Sequence, residues 1–275
     1  MTIPFHKYEG LGNDFLLVDK KALGGVPLTD EQAVALCDRH RGVGADGVLV
    51  IDMTSPSMAV INADGSVPEM CGNGIRCVAL HLARSSGATH LMLDIDTVAG
   101  SQSCSVDADG SKGLVTVDMS GASLAPTDIG LVSETPWQDQ SVRVGDHTVR
   151  FTAVSMGNPH AVTFDDVGDA RFEIAEVLQV DPRFPDGVNV GFVSEREGRV
   201  MRLDVCERGA GWTQACGTGA AAAAVAAVET QRVDRGDTLE IRLPGGTLSI
   251  TPRALGEPVQ MRGPARFVFA GEVSL

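Results

Sequence analysis

The segment ERGAGWTQACGTG, residues 207–219, runs directly into AAAAAVAAV, residues 220–228. Glycines on either side of Cys216 let the backbone approach a ligand where a Cβ atom would be in the way. The alanine run predicts a helix with no polar face, which is typical of a buried helix. Cys216 would therefore begin a buried helix, where unpaired N–H groups and the positive end of the helix dipole favour anions and lower the pKa of a thiol.

A second cysteine of this kind occurs in CGNG, residues 71–74, and a helical pattern again follows it. The two cysteines are 145 positions apart, and the same offset separates Gly12-Asn13 from Gly157-Asn158. Two landmarks with one offset predict two copies of one unit. Each copy would bring a glycine-flanked cysteine at a helix start to a shared cleft.

The composition sets bounds on the function. The chain has 275 residues, enough for two domains of ordinary size, and a net charge of −14, which argues against a nucleic-acid surface. No secretory signal pattern and no apolar run of membrane-spanning length is present, so we expect a cytoplasmic protein without a membrane partner. The six cysteines form no C-x-x-C pair. We therefore expect reduced thiols and no metal site.

Local patterns place several helices. Thr29 and Gln32 form a capping-box pattern that predicts a helix reaching about His40. After residue 71, apolar side chains recur at helical spacing, which predicts a buried face from which Arg76 and Arg84 point away. Gly87 is expected to end this helix. Short strand patterns surround the helices in both halves and predict an α+β fold, in which each half wraps a curved, mostly antiparallel sheet around its own helix.

Five segments together carry a family resemblance: GLGNDF (10–15), CGNG (71–74), GNPHAV (157–162), GVNVGFV (187–193) and ERGAGWTQACGTGA (207–220). In this order and spacing the chain resembles the diaminopimelate epimerase family over essentially its whole length. The resemblance implies two pseudo-symmetric lobes, residues 1–119 together with 263–275 and residues 120–262. It also implies a cytoplasmic homodimer that interconverts LL- and meso-diaminopimelate, for lysine and peptidoglycan-precursor synthesis, without pyridoxal phosphate or another cofactor.

The chemistry can be argued from the residues themselves. Inverting an α-carbon requires one group to remove a proton from one face and another to deliver a proton to the opposite face. One thiol from each half could supply this pair, and the two would titrate as a coupled pair with one thiolate and one thiol. Helix N–H groups beside the cysteines would stabilise the substrate carboxylate as the carbanion develops.

The resemblance also assigns individual residues. Cys71 and Cys216 are the expected acid and base, with His160 and Glu207 tuning the thiols. Arg208 is suited to a bidentate grip on the distal carboxylate. The residues expected to bind substrate are Asn13, Asn62, Gly72, Asn73, Asn158, Asn189, Glu207, Arg208, Gly217 and Thr218.

Other functions compete with this prediction. Proline racemase-like enzymes are similar around CGTG and share the thiol pair, but they would not need Arg208 and the full set of asparagines. A pyridoxal-phosphate racemase would need a Schiff-base lysine, and none of the four lysines has a phosphate cradle near it in sequence. A thiol-redox or metal-binding protein could use Cys71 and Cys216 as a dithiol, although the lack of a C-x-x-C pair argues against it.

Overall fold

The computed structural model describes residues 2–68 and 71–274. The chain divides into two compact units. Unit 1 comprises Met1–Val117 and Arg262–Leu275, and unit 2 comprises Asp118–Met261. Among the described residues, no helix combines the length and the apolar character that crossing a membrane would require.

Unit 1 is built from strands and two helices that begin after polar or cysteine caps. Its elements are β1 (Thr2–Gly10), β2 (Asn13–Asp19), α1 (Asp30–Cys37), β3 (Gly47–Asp52), β4 (Ser57–Asn62), α2 (Gly72–Ser86), β5 (His90–Thr97), β6 (Gly100–Asp109) and most of β7 (Lys112–Gly121). The last strand of the chain returns to this unit and pairs with both β7 and β1, so the strands of unit 1 close into a ring.

Unit 2 has the same kinds of element. They are α3 (Pro126–Ile129), β8 (Gln140–Val144), β9 (His147–Ser155), β10 (Pro159–Thr163), α4 (Arg171–Gln179), β11 (Asn189–Glu197), β12 (Val200–Glu207), β13 (Gly211–Trp212), α5 (Gly217–Glu229), β14 (Leu239–Leu243), β15 (Gly246–Thr251) and the start of β16 (Pro258–Ser274). The strand order in this unit is β8-β9-β10-β11-β12-β14-β15-β16.

Strand pairing repeats from one unit to the other. In unit 1 the pairs from β1–β2 to β5–β6 alternate antiparallel, parallel, antiparallel, parallel, antiparallel. In unit 2 the pairs from β9–β10 to β14–β15 alternate in the same way. A helix connects each parallel pair, as a crossover requires. The predicted α+β class is confirmed, and the internal repeat seen in the sequence is present in the pairing pattern.

Helix α2 follows its sequence signals at both ends. Cys71 is the N-cap, and Gly87 adopts the left-handed conformation at the C-cap (φ 74°). Arg76 lies off the apolar stripe that the spacing predicts, yet its side chain is completely buried. All residues from Gly72 to Ala83 are buried, since strands of the ring pack around the helix on every side at this end. A periodicity argument assumes one solvent-facing side, and the first turns of α2 have none.

Helix α5 is buried as predicted, and the residues from Ala220 to Ala227 are at most 2% exposed. It packs against β9, β10, β11 and β15. Short alanine side chains favour a helix and let the surrounding strands approach its backbone closely. The capping box predicted at Thr29 and Gln32 is also confirmed, at the start of α1.

Candidate active site

The two glycine-flanked cysteines have the same local structure in the two units. Each is an N-cap in extended conformation, with φ −135° and ψ 104° at Cys71 and φ −123° and ψ 107° at Cys216. Each sulfur accepts the N–H of the glycine three residues later, from Gly74 and from Gly219, at 3.3 Å. Both sulfurs therefore lie at the positive end of a helix, and the helix dipole by itself favours a thiolate there.

The glycines at the third helical position keep these sulfurs close to the backbone. A Cβ atom on Gly74 would lie 3.3 Å from the Cys71 sulfur, and one on Gly219 would lie 3.2 Å from the Cys216 sulfur. These separations are shorter than ordinary van der Waals contact. A side chain at either position would push the sulfur away from the N–H group that it accepts.

In unit 1 the predicted substrate-binding residues Asn13 and Asn73 are hydrogen-bonded to each other. Nδ2 of Asn73 donates to Oδ1 of Asn13 at 2.9 Å, and Nδ2 of Asn13 donates to a carboxylate oxygen of Asp46 at 2.8 Å. Asp46 also accepts the backbone N–H of Asp14 at 3.0 Å. Both the oxygen and the nitrogen of the Asn13 side-chain amide thus have partners in the same unit.

Asp46 is a residue that the sequence reasoning missed. It lies in the glycine-rich segment RGVGADG, residues 41–47, whose composition indicates a turn but no site residue. Arg39 bridges Asp46 and Asp14 at 2.7 Å and 2.6 Å, and Lys7 pairs with Asp14 at 2.7 Å. Burial would raise the pKa of Asp14, but hydrogen bonds from Arg39 and Lys7 outweigh it and hold the pKa below its ordinary value. The Asp14 carboxylate is therefore charged, and its ion pairs with Lys7 and Arg39 hold it in place.

Asn62 lies at the end of β4, next to this group. Its Nδ2 donates to Oγ of Ser66 at 2.9 Å, and the following residue, Ala63, donates its N–H to the carbonyl of Asp46 at 3.0 Å. The structure thus places Asn62 beside the Asn13 network through the backbone, while its amide nitrogen is used within its own turn.

In unit 2 the predicted residues form one connected network around Cys216. Asn158 donates to Oγ1 of Thr218 at 3.4 Å, and Thr218 lies 3.5 Å from the Cys216 sulfur. Nε2 of His160 lies 3.0 Å from Oδ1 of Asn158. Glu207 accepts from Thr213 at 2.5 Å and is also hydrogen-bonded to Cys216.

Asn189 ties the remaining residues to this network. Its Nδ2 donates to the carbonyl of Pro159 at 2.8 Å, and its Oδ1 accepts the backbone N–H of Arg208 at 2.9 Å. The Arg208 side chain is exposed and donates from Nη1 to the carbonyl of Asp186 at 2.7 Å. One edge of this guanidinium is thus held by the protein, and a planar fork of five donors leaves further groups for a ligand carboxylate.

The ionisation of Cys216 in unit 2 differs from the one that the sequence predicts. Burial raises the pKa of Cys216 well above its ordinary value, and the Glu207 carboxylate raises it further, against smaller opposing effects of Thr218 and the Gly219 N–H. The expectation that the helix N-terminus would leave this thiol with a lowered pKa is therefore wrong. Burial, assisted by the positive charge of Arg208, lowers the pKa of His160 to about 3, so that this imidazole is neutral.

The six cysteines are all free thiols. Within residues 2–68 and 71–274, no group of three or more His, Cys, Asp or Glu side chains is arranged to hold a metal ion. Unit 1 holds a thiol, side-chain amides and backbone N–H groups at the start of α2. Unit 2 holds the same kinds of group at the start of α5, together with the Arg208 guanidinium.

Comparisons with known proteins agree with the sequence pattern. A family model described as diaminopimelate epimerase matches residues 5–125 and 152–268. A curated diaminopimelate epimerase from Synechococcus elongatus is 46% identical over 285 residues, covering 100% of this chain and 99% of that protein. One from Synechocystis sp. is 44% identical, covering 100% of both. A crystal structure of a hydroxyproline epimerase from Agrobacterium vitis superposes with a TM-score of 0.68 at 16% identity, covering 100% of this chain and 93% of that one. This last similarity shows the shared fold.

Proposed function

The chain belongs to the diaminopimelate epimerase family, and from this premise we propose that it interconverts LL- and meso-diaminopimelate by a two-base mechanism with Cys71 and Cys216 as the bases. The protein is an isomerase of the lysine pathway, which also supplies peptidoglycan precursor. The observation that carries the mechanism is the recurrence, in each unit, of a cysteine N-cap whose sulfur accepts a helix N–H.

The reaction needs one thiolate and one thiol. The thiolate removes the α-proton, the electron pair is delocalised into the adjacent carboxylate, and the thiol delivers its proton to the opposite face of the carbon. In the reverse direction the two sulfurs exchange roles. The unfavourable step is carbanion formation, so stabilisation of the carboxylate decides the rate.

Backbone groups at both helix starts can provide that stabilisation. The first N–H groups of any α-helix lack intrahelical partners and point out of the helix with its positive dipole end. In α2 and α5 these are the N–H groups of Gly72, Asn73, Gly217 and Thr218. We assign them to the substrate carboxylate. Charge that develops on this carboxylate in the transition state then meets donors that are already in position.

The remaining residues bind and orient the substrate. We assign Asn13, Asn62, Asn158 and Asn189 to its polar ends, and Arg208 to the distal carboxylate. A site with polar groups for a second amino-acid end rejects ligands that lack this end, because those groups would be left desolvated and unpaired.

His160 and Glu207 are assigned to tuning. His160, neutral at physiological pH, fixes the orientation of Asn158 beside Thr218 and Cys216. Glu207 keeps Cys216 protonated until the substrate binds, because its negative charge raises the pKa of this thiol.

The direct test is incubation with LL-diaminopimelate, without added cofactor, followed by chiral chromatography. The expected result is formation of the meso isomer. A folded protein that leaves LL-diaminopimelate unchanged, or that requires pyridoxal phosphate, would refute the proposal. Proline and trans-4-hydroxyproline serve as matched substrates, and conversion of either in place of diaminopimelate would assign the chain to the racemase reaction instead.

The two-base mechanism has its own test. Cys71→Ser and Cys216→Ser should each lower the epimerisation rate by at least about 10²-fold, the contribution typical of a general acid or base. Thermal unfolding and circular dichroism check that both variants remain folded. In D₂O, deuterium should enter the product at the α-carbon. Near-normal turnover of either variant, or retention of the substrate's own hydrogen, would count against a role for both thiols.

We also propose that the protein works as a homodimer in the cytoplasm, as the family resemblance implies. Light scattering coupled to size-exclusion chromatography would then give about twice the chain mass of 28.8 kDa. A single species at the chain mass, across the concentrations used for activity, would contradict the dimer.

A further inference from the structure

Arg76 occupies an unusual position for a charged side chain. It lies on α2 five residues after Cys71 and is completely buried. Its Nη1 donates to the carbonyl of Gly72 at 3.1 Å, and its Nε donates to the carbonyl of Pro264 at 3.2 Å. A Cβ atom on Gly10 would lie only 3.0 Å from Nη2. The guanidinium is thus held against the first turn of α2, the turn that Cys71 caps.

A guanidinium keeps its proton in proteins, so the buried charge is permanent. In a low-dielectric interior such a charge attracts a nearby anion more strongly than it would in water. Burial lowers the pKa of Arg76, while the charge of Glu9, and that of Cys71 when its thiol is ionised, act in the opposite direction. A Coulomb interaction acts equally on both partners. The interaction by which a Cys71 thiolate stabilises the Arg76 cation is therefore also the interaction by which Arg76 stabilises that thiolate.

The internal repeat shows that this feature belongs to one unit. The position 145 residues after Arg76 is Ala221, so α5 carries no cation at the matching place. The position 145 residues after Asn62 is Glu207, which is hydrogen-bonded to Cys216. The first cysteine therefore has a buried cation beside its helix start, whereas the second has a carboxylate. Equivalent thiols are placed in opposite electrostatic surroundings.

We propose that Arg76 is a positioning residue that stabilises Cys71 as a thiolate, so that Cys71 is the base and Cys216 the acid of the resting enzyme. This inference rests on the proposed function, since it assigns ionisation states to the two thiols of that mechanism. The resting pair holds one proton, on Cys216. The Cys71 thiolate takes the α-proton as the C–H bond breaks, and Cys216 gives its proton to the carbanion. The product state then carries the thiol at Cys71 and the thiolate at Cys216, so charge and protons balance.

Other titratable groups act on this end of α2. Cys77, on α2 itself, is completely buried, and burial raises its pKa so far that it remains a neutral thiol. Glu9 on β1 and Asp14 on β2 are negative, and each forms its own ion pair with a basic side chain. Their negative charges oppose a thiolate at Cys71. Arg76 supplies a positive charge on α2 that counteracts them. If this charge were removed, the negative charges of Glu9 and Asp14 would disfavour the Cys71 thiolate.

The test measures thiol ionisation in the protein without substrate. Iodoacetamide reacts with the thiolate, so the alkylation rate of each cysteine against pH gives the pH midpoint of its ionisation. Trypsin cleaves at Arg41, Arg76, Arg208 and Arg232, and it releases Cys71 and Cys216 on separate peptides that mass spectrometry can quantify. When Arg76 is replaced by a residue that trypsin does not recognise, the Cys71 peptide extends to Arg84 and also contains Cys77, so fragment ions are used to assign the label to one cysteine. We expect the midpoint of Cys71 to lie at least about one pH unit below that of Cys216. A Cys71 midpoint equal to or above that of Cys216 would overturn the inference without any mutation.

Substitutions identify the source of the shift. Arg76→Met keeps an unbranched apolar side chain and removes the guanidinium charge, and it should raise the Cys71 midpoint by about one to three pH units. Arg76→Lys keeps the charge and should stay within about half a unit of the wild type. Arg84→Met removes an arginine from the other end of the same helix, and it should leave the midpoint unchanged. A folded Arg76→Met protein with the wild-type midpoint, or an equal shift in Arg84→Met, would overturn the role of Arg76. If Arg76→Met does not fold, the comparison of wild type with Arg76→Lys and Arg84→Met and the wild-type order of midpoints decide the question.

These outcomes are separable from those of the proposed function. A protein that epimerises diaminopimelate but has the reverse order of midpoints refutes only the assignment of the resting base. A protein that has the expected midpoints but converts no diaminopimelate refutes the function, while the effect of Arg76 on Cys71 stands.

Discussion

His160 makes a pH-dependent contribution to stability that can be calculated from its surroundings. The imidazole is 1% exposed, and burial together with Arg208 lowers its pKa from 6.5 to about 3. In the unfolded chain the same group would titrate near its ordinary value. The folded state therefore binds this proton less tightly than the unfolded state does. The free energy of unfolding is therefore highest above the unfolded-state pKa of His160, and it decreases as the pH falls below that pKa.

The magnitude follows from the two pKa values. Lowering the pH from about 8 to about 5 should reduce the free energy of unfolding by about 2 kcal/mol through His160 alone. The loss approaches about 1.4 kcal/mol per pH unit below about pH 6. At pH 5 the result barely depends on the folded-state pKa, because any value below about 4 leaves the buried ring neutral. His160→Gln keeps a donor for Asn158 and removes the titration.

The assay is urea unfolding of both proteins at about pH 8, 6.5, 5.5 and 5, with the free energy of unfolding extrapolated to water. The wild type should lose about 2 kcal/mol more than His160→Gln over this range, so that the stability difference between the two proteins shrinks or reverses at low pH. His40→Gln, at an exposed position, is the matched control and should follow the wild type. Parallel curves for wild type and His160→Gln would refute the view that this histidine is held neutral by burial.

Two further predictions concern groups that orient the site and fill the core. Asp46→Asn removes the negative charge that accepts a hydrogen bond from the Asn13 amide. A charge-assisted hydrogen bond contributes about 1.5–3 kcal/mol, so its loss should raise KM at least about 10-fold, with a smaller effect on kcat. An unchanged KM in steady-state kinetics would contradict this. Ala223→Leu places a larger side chain in the buried helix α5 and should lower the free energy of unfolding in urea by about 1–3 kcal/mol. The control Ala35→Leu, at an exposed position of α1, should change it by less than about 0.5 kcal/mol. Equal effects would show that the packing around α5 accommodates a leucine.

The features that the sequence predicted well are those set by local interactions. The cap at Thr29, the helix starts at both cysteines and the left-handed Gly87 all depend on residues within one or two turns of each other. Such signals remain valid whatever the rest of the chain does. The internal repeat was also visible, because duplication preserves spacing, and the strand pairing repeats where the sequence landmarks do.

The features that the sequence did not predict depend on distant contacts. Asp46 reaches Asn13 across 33 positions, and the turn that carries it has no motif that distinguishes a site residue from a loop residue. The apolar periodicity of α2 identifies one buried face and gives no sign that Arg76, which lies off that face, is surrounded by strands from several parts of the chain. The pKa of Cys216 depends on a competition between a helix N-terminus and complete burial. The degree of burial is a property of the folded protein. The direction of the pKa shift at Cys216 therefore follows from the three-dimensional structure and not from the sequence.

The repeat and its exceptions together suggest why a duplicated fold suits this reaction. Two identical thiol sites would give two thiols of equal pKa, and the form with one thiolate and one thiol would have no preferred arrangement. Substitution at two matched positions, Arg76 against Ala221 and Glu207 against Asn62, breaks this equality without changing the N-cap geometry of either cysteine. The difference between the two pKa values must nevertheless be limited. Each unit of difference adds about 1.4 kcal/mol to the free-energy cost of the reaction direction that starts from the less stable protonation form. A reversible epimerase therefore gains from a cation that biases its thiol towards the thiolate without fixing it in that form. Such a charge sets the resting state and still lets bound substrate reverse it.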